Sequence, residues 1–153
     1  LAVSEKAAEK VELTARDLVR DGFGKRRSFI VLLATLPEDD PRASDGPACA
    51  SYPGHNIVAF GLFFEVYSTW VRRFVYLEDL YCVPSARRLG IGGRIISAGA
   101  TMAIVTNASR LQWIVLTWNK RAIDVYKAMG ASVLEEWYLT RISGKKLELL
   151  GGE

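Results

Sequence analysis

Two neighbouring stretches carry the residues most able to do chemistry. The first, FVYLEDLYCV at 74–83, sets adjacent carboxylates, Glu78 and Asp79, in the middle of a segment in which eight of ten residues are apolar. Such a segment predicts a buried strand, and an unpaired buried carboxylate is costly or has its pKa pushed up. The two acids therefore either work as charges or proton carriers, or pair with a buried Arg or backbone amides. Strand neighbours point to opposite faces, so only one of them faces a given pocket unless a bulge turns both to one side. The second stretch, RRLGIGG at 87–93, reads Arg87-x-x-Gly90-x-Gly92-Gly93 between a strand and a helix. Glycines let backbone N–H groups approach an anion, and a helix N-terminus adds about half a positive charge. A dinucleotide fingerprint would need glycine where Ile95 stands, and no Gly-Lys-Ser/Thr follows for a nucleoside triphosphate loop. A plain strand-to-helix turn is the alternative.

The remaining reactive groups are few. Cys49 and Cys82 form no CxxC pair, so neither a disulfide framework nor a structural zinc site is expected, and no metal is implied. His55, the single histidine, sits in a Pro/Gly-flanked segment, directly after Pro53-Gly54, and leaves little scope for a Ser-His-Asp triad. Cys82 as an acyl-carrying nucleophile would need a base or a helix N-terminus to lower its pKa. Charge is unevenly spread. Residues 61–110 hold 6 Lys+Arg against 3 Asp+Glu, whereas 1–60 hold 8 against 9 and 111–153 hold 6 against 5. An excess confined to Arg87, Arg88 and Arg94 suits a compact polyanion rather than a nucleic-acid face. Apolar runs such as Ile57–Phe64 are far shorter than the roughly 20 residues of a membrane span, and a reduced, cytoplasmic setting is expected.

At 153 residues the chain predicts one domain, 1–153. Residues 1–10 read as the end of a helix. Thr14 and Asp17 open a helix that Gly22 and Gly24 close. Ser28–Thr35 predicts a strand, 37–54 a variable surface loop whose length implies function or mobility, and Asn56–Tyr67 with Phe74–Val83 an antiparallel hairpin. Ile91 to about Thr106 predicts a helix with Ile91, Ile95, Ala98, Met102 and Val105 on one stripe. Gln112–Trp118 predicts a strand, Asn119 a cap for a helix over Lys120–Met129 that Gly130 ends, and Ser132–Ile142 one or two further strands. Residues from 143 on read as a tail. This order predicts a mixed α/β domain.

The combination of acidic strand, RxxGxG turn, long helix, Trp-rich strand and Asn-capped helix resembles the GNAT superfamily of acyl-CoA-dependent N-acetyltransferases, whose Gln/Arg-x-x-Gly-x-Gly/Ala motif is matched by Arg87, Gly90 and Gly92. YSTW (67–70), YLED (76–79), WNKRAIDVYKAMGA (118–131) and EEW (135–137) look like its diamine branch, the spermidine/spermine, thialysine and ornithine-type enzymes; VELTARDLVRDGFG (11–24) is similar too. The likeness runs to about residue 142 and leaves 37–54 unmatched. It implies a mixed, mostly antiparallel twisted sheet flanked by helices and splayed at the acetyl-CoA site, with the family's first strand absent from this chain. Thr117 stands where the branch carries an acid.

The resemblance also implies roles. Acetyl-CoA would be held by Leu80, Tyr81 and Cys82 at the strand end, by Arg87, Arg88, Leu89, Gly90, Ile91, Gly92 and Gly93 in the turn, and by Asn119 and Tyr126. Glu78 would receive the amine's proton through a water, and Tyr126 would act as general acid beside the sulfur. Trp70, Glu78, Asp79 and Trp137 would line the amine site. Taken alone, Tyr126 reads as a core tyrosine on the helical face of Ala122 and Met129. The expected activity is direct acetyl transfer to a primary amine of a diamine, polyamine, thialysine or ornithine-like substrate. A lysine or N-terminal protein acetyltransferase and a non-catalytic acyl-CoA-binding module are the alternatives. The branch's homodimer is expected here too, with no nucleic-acid or membrane partner.

Overall fold

In the computed structural model the described residues are Val3, Glu5 and 8–152. They fall into two packing units, one ending at Ile114 and one beginning at Val115. In the first, α1 (Ala15–Phe23) opens on a reciprocal cap. The Asp17 N–H donates to Thr14 Oγ1 at 3.2 Å, and the Thr14 N–H donates to the Asp17 carboxylate at 3.1 Å. Gly24 closes this helix, but Gly22 lies buried inside it against the Phe29 ring and is not part of the stop signal. Of the helix end expected over 1–10, Ala8–Lys10 forms one 3-10 turn. Leu1, Ala2, Ser4, Lys6 and Ala7, also expected in that helix end, lie outside the described residues.

Strands β1 (Ile30–Pro37), β2 (His55–Ser68), β3 (Arg72–Cys82) and β4 (Leu111–Gln112) form one mixed sheet in the order β1-β2-β3-β4. β1–β2 and the β2–β3 hairpin are antiparallel, and β4 runs parallel to β3 after the helical crossover α2 (Ile91–Val105). That helix buries Ile95, Ile96, Gly99 and Ala103 on the sheet, where Phe63 is fully enclosed. Arg73 ties the two together, its guanidinium donating to the Thr106 carbonyl at 3.0 Å and reaching Glu65 at 3.5 Å.

Three expectations fail after this point. The strand predicted over Gln112–Trp118 is cut to Leu111–Gln112, which pairs only with Val75 and Tyr76. Two residues further along β3 its regular ladder breaks at Glu78, so the following chain has no straight edge to follow. The second unit contains no strand among its described residues, only α3 (Lys120–Ala128) and α4 (Lys145–Gly151). Ser132–Ile142 is largely exposed, and with no neighbouring strand in its unit its backbone has no ladder to join. The tail from 143 instead forms α4, from the good helix formers KKLELL, ended by Gly152 at φ +87°. Among the described residues no helix is long and apolar enough to cross a membrane.

Candidate active site

The break in β3 is the first feature of the site. Leu62 pairs with Asp79 but Phe63 pairs with Leu77, so Glu78 is an extra residue with no opposite number. Leu77 shares the face of its partner Phe63 against α2, and Leu80 lies 3.8 Å from the position a Gly92 side chain would take at the start of the same helix. Regular alternation would not put residues 77 and 80 on one side. The bulge does, and it leaves Glu78 and Asp79 on the opposite side together. There Tyr76 stacks on Phe64 at 5.1 Å, and its hydroxyl is pushed up by burial and then by the charge of Glu78. Glu78 is exposed. Asp79 is half-buried, and burial pushes its carboxyl up.

Beyond the bulge, Leu80, Tyr81 and Cys82 stay paired with β2 but have no strand on their other edge among the described residues. An open edge of this kind offers backbone groups to an extended ligand. The Cys82 Sγ donates to the Ala86 carbonyl at 3.4 Å, and burial pushes its thiol up against the opposing pull of Arg87. A protonated, occupied thiol is a poor nucleophile.

Next comes the 3-10 turn Pro84–Ala86 and then the glycine stretch. Arg88 adopts φ +69°, a conformation that strains a side-chain-bearing residue. Gly90 follows at φ +72° and caps α2 with no side-chain hydrogen bond. The N–H groups of Ile91, Gly92 and Gly93 thus begin the helix without an intrahelical acceptor. A side chain at Gly90 or Gly93 would meet nothing within 4 Å. Gly90, at the head of the helix, is exposed to solvent. Arg87 folds back, its Nε donating to the Cys82 carbonyl at 3.1 Å and its guanidinium 5.9 Å from the Tyr81 ring centre. Arg88 and Leu89 are exposed on the turn.

The other expected site residues are placed as follows. Trp70 lies in the β2–β3 hairpin turn, 83% exposed, its N–H donating to Ser68 Oγ. Eight residues separate it from Glu78, roughly 25 Å along a strand, so one copy of β3 does not bring Trp70 to the carboxylates. Asn119, Tyr126 and Trp137 belong to the second unit. Asn119 caps α3 as expected, accepting from the Ala122 N–H at 3.3 Å. Asn119, Ala122, Ile123 and Tyr126 form the half-buried stripe of that helix, and burial pushes the Tyr126 hydroxyl up. Trp137 is 64% exposed. His55 opens β2 opposite Pro37, its ring 4.2 Å from that of Tyr52. Sequence reasoning missed Arg42, Ala43 and Asp45, which dock on the turn before the glycines; the only signal was an Asp-Pro and an Asp-Gly inside the 37–54 loop.

An open mixed sheet, a bulged acidic strand and an uncapped glycine turn together suit a transferase that binds an acyl carrier's phosphates. The Acetyltransferase (GNAT) family model matches residues 15–131. The thialysine N-epsilon-acetyltransferase of Bos taurus is 38% identical over 156 residues, covering 100% of this chain and 86% of that protein. The human spermidine/spermine N(1)-acetyltransferase-like protein 1 is 33% identical over 150 residues, 96% of this chain and 20% of that one. An integron cassette protein from the V. cholerae mobile metagenome shares the fold at TM-score 0.71 and 23% identity, over 99% of this chain and 86% of that one. The chain belongs to the GNAT acetyltransferase family, in its diamine acetyltransferase branch, and is an N-acetyltransferase.

Proposed function

We propose that this enzyme moves an acetyl group from acetyl-CoA directly to a primary amine of a small diamine-like substrate, in the thialysine, ornithine or polyamine class. The observation that carries this reading is the Glu78 bulge, which sets two carboxylates on one face of a strand whose next residues run to the open glycine turn. An alkylammonium has a pKa near ~10.4, so freeing it of its proton at pH 7.4 costs about 4 kcal/mol. Glu78 and Asp79 attract the cation, and Glu78 takes its proton through a water. The amides of Ile91–Gly93, with Arg87 and Arg88, hold the pyrophosphate, and the edge of Leu80–Cys82 holds the pantetheine arm and polarises the carbonyl. Tyr126, kept protonated by burial, donates to the departing sulfur. The state of Cys82 favours this direct route over an acylated cysteine. Both packing units serve one acetyltransferase domain in this reading, since the family match spans their boundary at Ile114/Val115. Trp137 lines the amine site, and Trp70 can join it only from a second copy. The resemblance supports a homodimer, and the two unpaired cysteines support a reduced, cytoplasmic setting.

The test is CoA release from acetyl-CoA with thialysine, ornithine, a linear diamine and a lysine peptide. Release is expected with the small amines. Binding of acetyl-CoA with no release for any amine would leave only an acyl-CoA-binding module. Replacing Tyr126 with Phe is expected to lower kcat by up to ~10²-fold with the KM for acetyl-CoA little changed; an unaltered kcat across the pH range removes its role as acid.

A further inference from the structure

The 37–54 loop is long enough to suggest a mobile cover, yet it is fastened along its whole length. Its ends are closed by the Glu38 N–H donating to the Gly54 carbonyl at 2.9 Å. The Ile57 N–H donates to Pro47 O and the Cys49 N–H to His55 O, each at 2.8 Å. Asn56 Nδ2 donates to the Ala43 carbonyl at 3.1 Å. Ala43 is fully buried with Val58, Val83 and Ala86. At Gly46 an added Cβ would sit 2.2 Å from the Ile57 carbonyl oxygen, so the loop backbone lies directly on β2.

Its other side grips the turn that leads to the glycines. The 3-10 turn Pro84–Ala86 is preceded by Val83, which has no side-chain acceptor to cap it. The orphan N–H of Ser85 donates instead to the Asp45 carboxylate at 2.9 Å, and Ser85 Oγ donates to the Arg42 carbonyl at 2.9 Å. These contacts join residues 40 and 43 positions apart in sequence. Both fall five residues before Gly90, immediately ahead of the strained Arg88.

We propose that the 37–54 loop is a brace that pre-sets the coenzyme turn, with Asp45 and Ser85 as its positioning residues. This rests on reading Arg87–Gly93 as the coenzyme cradle. A left-handed Arg88 persists only where its surroundings hold it, and a carboxylate accepting from a backbone N–H is a strong holder. With the brace cut, the turn relaxes, and each binding event must order it again. Affinity for coenzyme falls, while the chemistry at Glu78 is unchanged once coenzyme is bound.

The test compares the wild-type chain with Asp45→Ala, Asp45→Asn and Ser85→Ala. Calorimetry with CoA is combined with steady-state kinetics in which acetyl-CoA and amine are varied separately. Asp45→Ala is expected to raise the CoA Kd and the acetyl-CoA KM about tenfold, with kcat and the amine KM within twofold. Asp45→Asn, which keeps an acceptor, recovers most of the affinity, and Ser85→Ala loses a few-fold. An unchanged CoA Kd in Asp45→Ala overturns the brace, as does a fall in kcat with affinity intact. Should Asp45→Ala not fold, Ser85→Ala decides: an unaltered Kd overturns the proposal. If the wild type itself binds no CoA, it is the cradle that fails, and the brace with it.

Discussion

Gly90→Asp is expected to abolish measurable CoA binding while leaving the protein folded. The substitution adds no clash, since a Cβ there meets nothing within 4 Å. The φ of +72° is a region Asp tolerates better than most residues. A carboxylate at a helix N-terminus also stabilises the helix, by about 0.3–1 kcal/mol. The same carboxylate competes for the amides of Ile91–Gly93 and repels phosphates arriving over them. The expected result is therefore a folded protein with a Tm within a few degrees of wild type, the strain of a side chain at that φ opposing the helix-end gain, together with no calorimetric signal at CoA concentrations that saturate the wild type. Affinity within threefold of wild type would contradict the cradle. Gly90→Ala, which lacks the charge, should fall between the two.

Glu78→Gln carries the second large effect. Glu78 is exposed in a bulge, so the near-isosteric amide is expected to keep the fold. What disappears is the proton acceptor and one of two charges on that face. The loss in kcat/KM should scale with the amine's own basicity: ~10²-fold or more for an amine of pKa near 10, in the range of general-base contributions, and about tenfold or less for one already neutral near pH 7.5. Raising the pH should recover much of the rate on the strong base, because the medium then removes the proton. A uniform loss across amines of different pKa would assign Glu78 a structural role instead. Asp79, half-buried with its carboxyl pushed up by burial, remains on that face and continues to draw the ammonium in.

What the sequence made legible was what local chemistry dictates. Thr14 with Asp17, Asn119 before Lys120, and the two apolar runs of the hairpin each specify their element within a few residues, and all three formed. The glycine turn was legible because strand, RxxGxG and helix are contiguous. Less accessible were features that depend on residues far apart. Two adjacent acids signalled that something was needed in β3, but an extra residue changes register without changing composition. The attachment of Asp45 to Ser85 joins two loops that share no periodic pattern. The strands predicted after residue 112 followed correct apolar patterning, but a ladder also needs a partner edge, and none lies within that unit. Trp70 followed its motif while its position along the hairpin separates it from Glu78.

The single extra residue in β3 also has a geometric consequence. Remove position 78 altogether and Leu77 and Asp79 would become neighbours in a regular ladder, with Leu80 still toward α2 and Asp79 and Tyr81 still on the opposite face, so that only the second carboxylate of that face would be lost. Glu78 is thus a guest in the ladder, an added position that brings a second carboxylate to that face and leaves the wall against α2 as a shorter strand would have it.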